Sequence, residues 1–237
     1  MKITFLRHSA FLAETESLNL LFDWTGESPL PPFDRSKPLY VFASHHHGDH
    51  YTPRIFALGM DNVTYILASC IRLSAKRKAG LGIDDSRVHR LTAGVTVDID
   101  DLTVRTVRSN DAGVAFLVDT PAGRLFHAGD LNDWSWIGED PTWQEKIDKA
   151  WQKSLEQLRG ERVDVAFLPL DGRLEGNFWL GIHGYLQAMD CKRVFPMHCW
   201  GDLSVIPKLK AMPESGDYRD RIVDITAEGQ VFSLLEG

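Results

Sequence analysis

The strand-like segments of this chain fall into two groups, and each group ends beside a cluster of histidine and aspartate. Apolar alternation and short apolar runs bounded by turn residues place strands at residues 3–6, 11–14, 18–22, 39–43, 63–67 and 95–107, the last with a turn inside it. A second set covers residues 114–119, 124–127, 163–168 and 193–197, with a terminal hairpin over 221–234. Between these lies a helix. Thr142 at its N-cap and Glu145 three residues on read as a capping box, Trp143, Ile147, Trp151, Leu155 and Leu158 make its apolar stripe, and Gly160 ends it. Shorter helices are expected at 53–58, 69–78 and 181–189, and the proline-rich stretch 28–38 as a surface loop. Two strand sets with helices interspersed predict an α/β fold of two sheets face to face with helices outside. In such folds ligands favour the rim where strands end.

A chain of 237 residues can bury this core as one domain, so a single domain over 1–237 is expected, with halves of about 1–113 and 114–237. Lys and Arg total 26 against 33 Asp and Glu, a formal charge of -7, which disfavours nucleic acid and anionic membranes as partners. The run Arg72, Lys76, Arg77 and Lys78 reads as a solvated helix face. No apolar stretch reaches bilayer-spanning length, and the first residues read as a strand rather than a secretion signal. Cys70, Cys191 and Cys199 are odd in number and lack paired spacing, which points to a reducing compartment, the cytoplasm.

Residues 39–43 read as a buried strand, after which the chain turns through Gly48, so that His45, His46, His47, Asp49 and His50 lie on a loop. His45 and His47, two apart in extended chain, project to one side. Asp49 and His50 follow the glycine turn and can face a second point nearby, so that one ion could use the first pair and another the second. Alternation turns His46 away from both. Imidazole and carboxylate are the ligands of catalytic zinc and related divalent ions, and the lack of cysteine in the cluster disfavours a closed structural zinc site.

This His-x-His-x-Asp-His loop resembles the signature of the metallo-β-lactamase superfamily. Leu20-Leu21-Phe22-Asp23 resembles its early apolar strand ending in Asp, Phe126-His127-Ala128-Gly129-Asp130 the strand whose Asp bridges two metals, and Phe195-Pro196-Met197-His198 the late strand whose His binds the second metal. His8-Ser9-Ala10-Phe11-Leu12 further resembles the branch of metal-dependent hydrolases related to the L-ascorbate-6-phosphate lactonases. The resemblance implies a four-layer αββα sandwich of two mixed sheets. It also implies that His45 and His47 bind a first metal, that Asp49, His50 and His198 bind a second, and that Asp130 bridges them. One or two divalent ions are implied, zinc first, with manganese or iron also compatible with the ligands.

The family supplies a third histidine to the first metal, and this chain has none at the matching position, about Ser109 to Asp111. Asp111 could replace it, His8 could swing in from the first strand, or the first site could be weak. Asp23 is expected to orient the metal loop by hydrogen bonding. Asp171, Arg173 and Glu175 form a rim loop that could meet substrate, with Arg173 suited to a carboxylate or phosphate. Trp24, Trp134, Trp136, Trp179 and Trp200 lie in loops near these segments and could wall a pocket.

The expected activity is hydrolysis of an ester, lactone or phosphoester in a small molecule by metal-activated water, oriented by Asp49. Two other readings compete with it. One is a metal-binding protein with little turnover, motivated by the missing histidine; the other is a phosphodiesterase or nuclease of the same fold, against which the acidic charge speaks.

Overall fold

The computed structural model describes residues 1–74 and 79–234. Its first sheet contains β1 (Lys2–Arg7), β2 (Ala10–Glu14), β3 (Asn19–Phe22), β4 (Leu39–Ala43), β5 (Val63–Ala68) and β6 (Val88–Leu91). The second contains β7 (Thr96–Ile99), β8 (Leu102–Arg108), β9 (Val114–Thr120), β10 (Gly123–His127), β11 (Arg162–Pro169) and β12 (Asp190–Met197). A last short strand, β13 (Val231–Ser233), joins the first sheet. The orders are β13-β1-β2-β3-β4-β5-β6 and β12-β11-β10-β9-β8-β7. Both sheets are mixed: pairing is antiparallel from β1 to β3 and parallel from β3 to β6, then antiparallel from β7 to β10 and parallel from β10 to β12.

Side-chain alternation splits the apolar residues of the first sheet between two cores. Leu20, Phe22, Tyr40 and Phe42 face the second sheet, whereas Leu21, Leu39, Val41 and Ala43 pack on the outer face with Ile55. Both faces of β3 and β4 are therefore covered, which is why these strands are continuous apolar runs rather than alternating ones. Phenylalanine rings join the two sheets: Phe42 meets Phe116 at 5.2 Å and Phe11 meets Phe167 at 4.3 Å between centroids. Truncating such a buried ring to alanine costs about 3–5 kcal/mol. Outside the second sheet lie α1 (Pro141–Glu156) and α2 (Leu180–Ala188), with Trp151 set edge-on against Tyr185 at 4.8 Å. A third helix, α3 (Val205–Ala211), follows β12. No helix among the described residues is long and apolar enough to cross a membrane.

Several local expectations are corrected. Asp140, not Thr142, caps α1: its Oδ1 accepts from the Thr142 and Trp143 amides, and Pro141 takes the first helical position, where a missing N–H costs nothing. The terminal hairpin over 221–234 does not form, because its ends serve different sheets. Ile222 bridges Val194 on β12 while β13 pairs with β1. The helix expected at 53–58 is a 3-10 segment, Pro53–Ala57, and that at 181–189 is α2. The edge strand β6 has no counterpart in the sequence reading, since His89 and Arg90 mask its apolar pattern. Residues 69–74 form a turn and irregular chain rather than the start of the helix expected at 69–78, and the rest of that segment, with Lys76, Arg77 and Lys78, lies outside the described residues.

Candidate metal centre

Strand ends of both sheets meet at one rim. β4 delivers the loop from Ser44 to His50, β10 leads to Asp130, β12 to His198, and the turn between β8 and β9 carries Asp111. His8 follows β1, and its carbonyl accepts from the His198 amide at 3.0 Å, which ties the two sheets together at the site. The β4 loop can lie this deep because Gly113 and Gly129 leave room for it. A Cβ on Gly113, at φ +67°, would lie 2.0 Å from the Ser44 carbonyl oxygen, and one on Gly129 would lie 2.7 Å from the Ser44 Cβ. Asn110 places the Asp111 turn: its amide donates to the Asn132 carbonyl at 2.8 Å and its Oδ1 accepts from the Asn132 N–H at 3.2 Å.

Two groups of ligand-type atoms result. His45, His47, Asp111 and Asp130 form one, and His8, Asp49, His50 and His198 the other, each with ligand atoms within 4.8 Å of one another. Asp130 reaches both. Its Oδ2 lies 3.3 Å from His45 Nε2, and its Oδ1 lies 3.0 Å from His50 Nε2 and 3.4 Å from His198 Nε2. None of these pairs is aligned as a hydrogen bond. His8 Nε2, His45 Nε2, His50 Nε2 and Asp130 Oδ1 are buried and have no hydrogen-bond partner among the described residues. Leaving such atoms unsatisfied costs about 1–3 kcal/mol each, a cost that a divalent cation between them would remove. Nitrogen and oxygen donors converging in this way fit zinc, manganese or iron.

The other ring nitrogens are fixed from behind. His50 Nδ1 donates to Asp23 Oδ2 at 2.7 Å, since a carboxylate can only accept, and this leaves Nε2 free to face the site. The Ser44 hydroxyl donates to Asp23 Oδ2 at 2.6 Å and so accepts from His45 Nδ1 at 3.0 Å. Asp23 thus sets one histidine directly and the next through Ser44. In the second half, His198 Nδ1 donates to Asp171 Oδ2 at 3.1 Å, and Arg173 donates to both oxygens of the same carboxylate. His127 differs. Its Nε2 donates to the Ser9 carbonyl and its Nδ1 accepts from the Gly129 amide, while the ring stacks on Phe22, so that it is a neutral core histidine.

Charge follows this geometry. Burial opposes protonation of His50, but Asp130 and Asp23 outweigh it and push its pKa up to about 10. Burial would raise the Asp130 carboxyl, yet His50, His45 and His198 hold it well below the usual range. His8 beside Asp49 holds that carboxyl low as well. Asp171 is lowered to about 2, its burial overcome by His198 and Arg173. The groups open onto a cleft of about 220 Å³ that Asp49, Asp111, Asp130 and His198 share with Trp134, Trp136, Trp143, Arg173 and Trp200.

A model of the beta-lactamase superfamily domain matches residues 2–135, a stretch that runs from β1 past Asp130. The chain belongs to the metallo-β-lactamase superfamily. A UPF0173 metal-dependent hydrolase of Pyrobaculum calidifontis is 26% identical over 254 aligned positions, covering 100% of this chain and 98% of that protein. One from Desulforamulus reducens is 28% identical over 213, covering 84% of each. Among solved structures, the metallo hydrolase Igni18 of Ignicoccus hospitalis has a TM-score of 0.58 at 16% identity, and an isothiocyanate hydrolase from Delia radicum gut bacteria 0.55 at 13%; each comparison covers 99% of both chains. At these identities the likeness is one of fold.

Within this superfamily fold, His45, His47, Asp49, His50, Asp130 and His198 all lie at the rim, and Asp111 stands with His45 and His47, its Oδ2 3.7 Å from His47 Nδ1. His8 does not swing towards that pair. It joins Asp49, His50 and His198, because the β1 backbone is bonded to the start of the His198 loop. Asp171 is fully buried behind His198 instead of meeting solvent at the rim. Trp24 and Trp179 pack on the apolar cores, and Trp143, assigned to the helix stripe, stands in the cleft instead. The Asp171 role had a signal in the sequence: Leu170-Asp171 repeats Phe22-Asp23, a buried strand end followed by aspartate.

Proposed function

We propose that this chain is a metal-dependent hydrolase that cleaves an ester, lactone or phosphoester bond in a small molecule. The observation that carries the reading is Asp130: a buried carboxylate whose two oxygens face separate histidine groups, beside the Nε2 atoms of His45 and His50, which have no hydrogen-bond partner among the described residues. His45, His47, Asp111 and Asp130 would hold one ion, and His8, Asp49, His50, His198 and Asp130 the other. Such ions supply Lewis acidity and lower the pKa of a bound water to about 7.

The chain's own groups do the rest. Asp23, Ser44 and Asp171 keep the imidazoles in the tautomer that presents Nε2 to the site. Asp49, a carboxylate open to the cleft, accepts a hydrogen bond from the attacking water and so orients it. The water oxygen bonds to the acyl carbon or phosphorus, the bond to the leaving oxygen breaks, and that oxygen takes up a proton. The placement of Asp111 beside His45 and His47 favours a supplied first site over a degenerate one. The charge of -7 favours a small molecule over a nucleic acid. The free cysteines support placing the protein in the cytoplasm.

The test is a panel of esters, lactones and phosphoesters offered to metal-loaded protein, chelator-treated protein and Asp49→Asn. Activity that requires metal and falls in Asp49→Asn by about 10²-fold or more supports the reading. Turnover unaffected by chelation would overturn it.

A further inference from the structure

We propose that the cleft over the metal centre selects an uncharged carboxylic ester or lactone carrying a single aromatic ring, in preference to a phosphoester. The proposal rests on the hydrolase reading above and names the substrate class of that site. Trp134 and Trp136 lie parallel, 6.1 Å between centroids and 7° between planes, and Trp200 and Trp143 also line the cleft, with Ile147 beside them. Trp143 and Trp200 are 38% and 51% exposed, two of the five large hydrophobics exposed among the described residues. Apolar rings left open to water at the mouth of a polar site mark a surface that a ligand covers. Trp200 is held there in a left-handed backbone conformation, φ +51°, which is unfavourable for a bulky residue and recurs at functional sites.

The charged side chains of the cleft do not favour a phosphoester. Arg173 is the cleft's one lysine or arginine among the described residues, and its guanidinium lies over the rings of Trp200 and Trp136 at 4.2 and 5.4 Å. Asp171 already holds it by Nε and Nη2, so its charge is matched within the protein. The remaining charged lining consists of the carboxylates Asp49, Asp111 and Asp130. Among the described residues the cleft therefore offers no unmatched side-chain cation to a phosphate, while the indoles of Trp134, Trp136, Trp143 and Trp200 line it. Size agrees with one ring: the cleft of about 220 Å³ exceeds the ~150 Å³ cavity that takes benzene. In the reaction, the water oxygen bonds to the acyl carbon, the acyl C–O bond breaks, and the water's proton passes to the leaving alkoxide.

Benzyl acetate and ethyl acetate test this, because their alcohols leave with similar acidity and differ in the ring. The metal-loaded protein is expected to show a kcat/KM roughly tenfold higher for benzyl acetate. In Trp143→Ala, an exposed position that leaves the core intact, and in Trp136→Ala, the ratio between the two esters narrows several-fold. The second readout needs no turnover: benzyl alcohol added to ¹⁵N-labelled protein shifts the indole N–H signals of Trp136, Trp143 and Trp200 and leaves that of the buried Trp151 in place. Equal kcat/KM for the two esters with unmoved indole signals would overturn the inference and leave the hydrolase reading standing. Faster turnover of phenyl phosphate than of benzyl acetate would also overturn it. Indole shifts without turnover of any ester, lactone or phosphoester keep the ring-binding cleft and overturn the hydrolase reading instead.

Discussion

Asp171 accepts the Nδ1 proton of His198 at 3.1 Å, and in doing so serves the second half of the chain as Asp23 serves His50 in the first. The two carboxylates are 1% exposed or less, and each follows a buried strand end. Asp171→Asn keeps the volume and removes the charge that fixes the imidazole. The expected result is a metal affinity lowered about 10–100-fold with little change in the fold. Competition with a chromophoric chelator measures it, and an unchanged affinity would show that the pair is structural.

Gly113 lets the metal loop reach its depth. In Gly113→Ala the new Cβ would meet the Ser44 carbonyl at 2.0 Å and hold φ +67°, so the loop between His45 and its strand must move. A loss of roughly 2–4 kcal/mol is expected, a fall in Tm of roughly 5–15 °C for a chain of this length, together with loss of metal. Gly94→Ala is the control: its φ is +81° but no atom lies within 4 Å, so it carries backbone strain alone, about 1 kcal/mol. Equal melting temperatures for the two variants would argue against the close packing.

His50 couples metal binding to pH. Its folded pKa, about 10, lies above the ordinary 6.5. A raised pKa stabilises the metal-free protein fully below pH 6.5, and that contribution is lost as pH rises towards 10. A cation must displace the same proton, so metal affinity runs the other way and increases with pH across this window, by up to about tenfold per unit. Calorimetry at pH 7.5 in buffers of different ionisation enthalpy is expected to find about one proton released at His50 on binding. No proton release would contradict the placement of His50 between two carboxylates.

The parts of the site legible in the sequence are those made by neighbours in the chain. His45, His47, Asp49 and His50 sit within one loop, so their spacing and the strand before them were enough. Asp130 and His198 were legible only through the resemblance of Phe126-His127-Ala128-Gly129-Asp130 and Phe195-Pro196-Met197-His198 to the superfamily's strand-end motifs. What the sequence hid depends on contacts between distant segments. His8 reaches the His198 group through a backbone bond between residues 190 positions apart, and Asp171 meets His198 only because the loops after β11 and β12 pack together. Helix periodicity placed Trp143 with the core. Capping by Asp140 begins α1 ahead of it, and the ring projects into the cleft instead. The last segment misled for a related reason: its strand signals are real, but one end bonds to β12 and the other to β1.

The central claim, two ion sites joined by Asp130 with Asp111 completing the one that lacks a third histidine, is tested most directly by metal stoichiometry. Elemental analysis of the purified protein is expected to give two ions per chain for wild type, one for Asp111→Ala, and none for Asp130→Ala, with circular dichroism showing each variant folded. A wild-type count that persists in Asp111→Ala, or in Asp130→Ala, would contradict it.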